Sequence, residues 1–99
     1  MKNIGKAIHE VRRKQKMSQI EVAQKSGITR TYLSLIETGK RLNVSSDVIE
    51  KICVAMEIPQ VVLDFMSMDL SDVAENKKDS FKDIKPAVNA LIDEFFVKK

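Results

Sequence analysis

The side chains that make and break bonds in proteins are scarce in this sequence. Among 99 residues there is one histidine, His9, and one cysteine, Cys53. No His-paired nucleophile, His-rich metal site or internal disulfide can be assembled from them. A glycine-rich phosphate loop is missing as well, so the sequence argues against an enzyme and calls for no cofactor and no metal. His9 reads as a surface residue, and Cys53, on an apolar stripe, as a small core residue. A lone cysteine also suits a reducing cytoplasm. Charge is abundant and unevenly placed. Residues 1–41 carry ten basic side chains against three acidic ones, whereas residues 42–99 carry seven basic against eleven acidic, for an overall charge of +3. One basic face suited to a polyanion, on an otherwise acidic molecule, accounts for this; a merely solvated basic helix is the alternative.

The elements that must carry this face are helical. The chain is 43% hydrophobic with three glycines, two prolines and five aromatic residues, a composition for one all-α domain with few tight turns. No apolar run is long enough to span a membrane, and the amino terminus has no apolar stretch of the secretory kind. Ile4, Ile8 and Val11 recur at helical spacing over about residues 3–14. Ser18 and Glu21 form a capping box that opens a second helix, and Gly27 closes it. Thr29 caps a third helix over 30–37, with Leu33 and Ile36 facing inward and Gly39 after it. Ser45 or Ser46 caps a fourth, carrying Ile49, Ile52, Cys53 and Met56. Pro59 suits the first turn of a fifth, with Val61, Val62, Phe65 and Met66. Residues 69–79 read as a polar linker between a domain at 1–68 and an amphipathic helix at 80–99. In that last helix Ser80 is the expected cap and Pro86 fits only near the first turn, while Val88, Leu91, Ile92, Phe95 and Phe96 form an apolar stripe.

With Gln19 as the first position of a helix-turn-helix frame, Val22, Ala23, Gly27, Ile28, Leu33 and Ile36 meet its requirements and only Ser26 departs, being polar where an apolar residue is usual. The run MSQIEVAQKSGITRTYLSLIETGKR followed by VIEKICVAMEI resembles the Cro and phage-repressor (XRE) family of helix-turn-helix regulators. That resemblance implies a five-helix domain followed here by an additional carboxy-terminal helix. It further implies double-stranded DNA as partner, with the third helix in the major groove. Carried over by position, Gln19 and Lys40 contact phosphate, and Thr29, Arg30, Thr31 and Ser34 face base edges. Arg12 and Glu37 form an ion pair tying the first helix to the third.

The side-chain chemistry agrees with these roles. Arg30, near the amino end of its helix, suits a bidentate pair with guanine, worth about 1–3 kcal/mol of discrimination. Thr31 and Ser34 donate or accept. Tyr32 packs its ring while its hydroxyl is left to reach a phosphate, and Arg41 adds basic charge beside Lys40. Lys16 and Glu57 stand where the family often has glycine, so left-handed backbone is expected at both.

A single such domain reads few bases, so a homodimer on a palindromic operator is expected, with half-sites about 34 Å apart. Two surfaces are candidates for the dimer or for a protein partner: Val62, Phe65 and Met66 of the fifth helix, or Val88, Leu91, Ile92, Phe95 and Phe96 of the last. The alternative for the latter is a helix folded back on its own domain. The resemblance implies a bacterial, cytoplasmic transcription regulator. RTYLSLIETGKRLNV followed by VVLDFM is similar to the controllers of restriction-modification systems. An antitoxin, or an interaction module that binds another protein through its last helix, is the rival reading.

Overall fold

The computed structural model describes residues 3–96. Helix α1 spans Ile4–Lys14, α2 Gln19–Ser26, α3 Arg30–Glu37, α4 Ser46–Met56, α5 Gln60–Ser67 and α6 Lys78–Phe95, with 3-10 turns at Leu70–Asp72 and Glu75–Lys77. No strand occurs among the described residues.

Local chemistry sets the starts of most of these helices. The side chains of Asn3, Ser18, Thr29 and Ser45 accept hydrogen bonds from the backbone N–H groups of Lys6, Glu21, Tyr32 and Val48 at 3.0, 3.1, 3.0 and 3.3 Å, each satisfying a donor with no partner inside its helix. Gly27, with φ of 73°, closes α2. Lys16 and Glu57 adopt φ of 58° and 61° although neither is glycine. Both lie just past a helix end, where the left-handed turn lets the following backbone satisfy helix carbonyls: Met17 N–H donates to Arg12 O and Ile58 N–H to Cys53 O.

The apolar faces of α1 to α5 converge on one core around Ile8, Leu33, Ile36, Ile52, Met56 and Leu63. Ser26, polar where the frame favours an apolar group, is buried there and harmless, because its Oγ donates to Val22 O at 2.6 Å. Cys53 lies in the core as expected. Burial, with the nearby charges of Asp64 and Glu50, pushes its thiol up to about 11, which leaves it an unreactive packing group.

The close seating of α1 on α3 depends on Gly5. A Cβ added there would lie 2.0 Å from the Ile36 carbonyl oxygen. No side chain fits, so the backbones of the two helices can approach as they do.

The end of the chain differs from expectation. Helix α6 begins at Lys78, not Ser80, and runs through Pro86, which lies well inside it. The proline removes one backbone hydrogen bond. Tertiary contacts hold the preceding turns: the Phe81 ring lies 6.3 Å from that of Phe65, and Lys85 Nζ donates to Met68 O at 2.6 Å. Beyond the proline, Ile92 is buried in the core, Lys14 pairs with Asp93 at 2.5 Å, and the buried Gln15 Nε2 donates to both Met56 O and Phe96 O. The helix is therefore folded back on its own domain. The expected end of this last helix, at residue 99, lies outside the described residues.

Candidate nucleic-acid interface

The third helix presents its inner side to the core through Leu33 and Ile36 and its outer side to solvent. Thr29, Arg30 and Thr31 are exposed and Ser34 is half-buried. Leu35, absent from the sequence expectations, shares this face and is 38% exposed. The Arg41 N–H donates to Leu35 O, which turns the segment carrying Lys40 and Arg41 back along α3. The Arg41 guanidinium lies over the Tyr32 ring, 5.4 Å from its centroid. Tyr32 is thus half-buried and stacked under a cation, a contact that holds both side chains beside the exposed helix face.

At the other end of α3 the Glu37 carboxylate gathers three elements. Arg12 of α1 donates from Nε to Oε2 at 2.9 Å and from Nη2 to Oε1 at 3.0 Å, the bidentate geometry in which guanidinium and carboxylate pair most strongly. A third donor of the same guanidinium, Nη1, reaches Met17 O at 3.0 Å and fixes the turn between α1 and α2. Gln19, first residue of α2, donates its amide to Oε1 at 3.3 Å. His9 Nδ1 lies 2.8 Å from the same oxygen. Burial alone pushes the Glu37 carboxyl up; the hydrogen bonds from Arg12, His9 and Gln19, with the charge of Arg12, outweigh it and hold the carboxyl below its ordinary value. The pair expected from the sequence is the centre of this cluster, and His9, read as a surface residue, belongs to it. The signal that could have found His9 is its position three residues before Arg12, on the same side of α1.

The apolar residues considered for an interface fall into two groups. Val62 and Ile92 are each only 7% exposed within their own chain, so their side chains are core and not available to a partner. Phe65, Met66 and Val88 are partly buried against that core. Leu91, Phe95 and Phe96 remain exposed and, with Val61, edge an apolar groove of about 370 Å³ between α5 and α6.

Two short helices, α2 and α3, joined by a glycine turn, the second presenting a polar face and locked by its end to α1, make up a helix-turn-helix unit. A helix-turn-helix family model matches residues 8–59, more than half of the chain, and the chain belongs to that family, in its XRE-type branch. It is a DNA-binding transcriptional regulator and not an enzyme. It is 42% identical over 66 residues to control protein C.BamHI of Bacillus amyloliquefaciens, an alignment covering 65% of this chain and 80% of that protein. Its fold matches that of the clp gene regulator ClgR from C. glutamicum, with a TM-score of 0.65 at 23% identity over 75% of this chain and 92% of that one. The family match ends before α5, so α6 lies outside it. Among the described residues no helix is long and apolar enough to cross a membrane.

Proposed function

We propose that the protein is an operator-binding regulator that occupies a palindromic DNA site as a homodimer, with α3 in the major groove. Residues 1–68 form the DNA-binding unit and the last helix adds an assembly surface. Thr29, Arg30, Thr31 and Ser34 face base edges, Arg30 as the guanine reader, and Leu35 offers an apolar contact for a thymine methyl. Gln19 and Lys40 hold phosphates, and Arg41 and Tyr32 flank the backbone. The observation that carries this reading is the outer face of α3, exposed from Thr29 to Thr31 and fixed in place at its far end by the Arg12–Glu37 pair. Similarity to control protein C.BamHI supports a controller acting in the cytoplasm of a bacterium, of the kind that serves restriction-modification systems.

Selection from a random double-stranded DNA pool at about physiological salt tests this reading. It should enrich an inverted repeat with guanine-bearing half-sites one helical turn apart. Binding should weaken steeply with salt, log K falling by about 0.9 for each phosphate contacted. A folded protein that enriches no sequence would overturn the reading and point to the groove between α5 and α6 as the site of a protein contact.

A further inference from the structure

We propose that His9 is a positioning residue of the DNA-binding surface: by occupying the buried Glu37 carboxylate, it leaves the Gln19 amide free to pass from that carboxylate to a DNA phosphate. The inference rests on the reading of Gln19 as a phosphate donor.

The Glu37 side chain is 3% exposed and that of His9 43%. Three donors converge on the one oxygen Oε1: His9 Nδ1 at 2.8 Å, Arg12 Nη2 at 3.0 Å and Gln19 Nε2 at 3.3 Å. The ionised carboxylate has no proton to give, so His9 Nδ1 carries the proton in this shorter contact and donates it; Arg12 Nη2, 3.2 Å from Nδ1, then donates to Oε1 and not to the ring. A carboxylate oxygen has about two acceptor sites. With His9 and Arg12 filling them, Gln19 makes the longest and weakest of the three bonds.

That ranking decides what DNA binding costs. A Gln19 amide that swings out to a phosphate leaves behind an oxygen still satisfied by His9 and Arg12, so no buried acceptor is orphaned. Without His9, one acceptor site on Oε1 falls open beside Gln19. The amide then closes onto it and must be pulled away before it can serve a phosphate. His9 acts on DNA only through Gln19.

A double-mutant cycle on the full chain isolates this effect. Because a phosphate contact is independent of sequence, a random-sequence DNA duplex at low salt serves as the probe, read by fluorescence anisotropy with thermal unfolding recorded for each variant. Gln19→Ala should weaken binding by on the order of tenfold, the effect of losing a hydrogen bond to a charged group. His9→Ala should weaken it several-fold when Gln19 is present and leave it unchanged in the Gln19→Ala background. His9→Asn, whose amide nitrogen falls near the place of Nδ1, should restore binding. Equal losses from His9→Ala in both backgrounds, or no loss in either, would overturn the proposal while leaving Gln19 as a phosphate donor. Unchanged binding by Gln19→Ala would remove that donor role and this inference with it.

Discussion

Gly5→Ala sets two rules against each other. Replacing a helical glycine by alanine ordinarily stabilises a protein by about 0.5–1 kcal/mol, because alanine loses less backbone freedom on folding. Here the new Cβ would sit 2.0 Å from the Ile36 carbonyl oxygen, 3.0 Å from its carbon and 3.4 Å from Glu37 Cα. Relief requires α1 and α3 to separate by about 1.5 Å, enough to reach an ordinary contact of about 3.5 Å. The obstructing atoms are backbone at the end of α3, so no rotamer change removes them. Overpacking of this kind costs about 1–3 kcal/mol even where side chains can adjust, and with rigid backbone on both sides the upper end applies. The net effect is a loss of about 2 kcal/mol, which for a domain of this size lowers Tm by about 8–16 °C. Parting α1 from α3 also stretches the Arg12–Glu37 pair, so DNA affinity should fall further than the unfolded fraction explains. Far-UV circular dichroism against temperature, with anisotropy titration on the same samples, measures both. A variant with unchanged or raised Tm would refute the reasoning, since helix propensity would then have outweighed the contact.

Arg12→Met leaves the buried Glu37 carboxylate without its bidentate partner and should destabilise the fold by about 3–5 kcal/mol, measured by urea unfolding. Because the folded-state pKa of Glu37 is lowered, its contribution to stability is fully present above the unfolded carboxyl value and is lost as pH falls through the folded one; Glu37→Gln should flatten that acid limb in a pH series of unfolding midpoints. Arg30→Ala should relax base choice at one position of each half-site, whereas Lys40→Ala should weaken all sequences alike, a contrast that selection from a random pool would display. Phe95→Asp, at a side chain 74% exposed beside the apolar groove, should shift the mass found by analytical ultracentrifugation toward monomer with little change in Tm.

Most of the first five helices was legible because their boundaries rest on interactions spanning three or four residues. A serine or threonine hydroxyl reaching the third N–H, and a glycine at positive φ, are written in the local sequence. The left-handed turns at Lys16 and Glu57 were legible too, from the residue type the frame expects there. What escaped was tertiary. Glu37 lies 28 positions from His9, and the one local hint, Arg12 three residues further on, leads to that carboxylate only through the Arg12–Glu37 pair. Gly5 looks like an unremarked residue of a first helical turn until the Ile36 carbonyl is seen beneath it. Pro86 misled for the same reason. The local rule counts the one backbone bond a proline forfeits, and it is blind to Phe65 and Met68, whose contacts with Phe81 and Lys85 hold the turns before it.

The placement of α6 bears directly on assembly. Ile92 enters the core, and the Gln15 amide fastens the end of α6 to the end of α4 through Phe96 O and Met56 O. Val62 is buried in the same region, so α5 alone no longer offers a continuous apolar face. The exposed apolar residues that remain come from two helices: Val61 from α5, and Leu91, Phe95 and Phe96 from α6. Any apolar contact made through this region must therefore use both helices at once, and its geometry depends on how firmly α6 is seated. Gln15, buried where the ends of α4 and α6 meet, thereby sets the shape of that two-helix apolar surface.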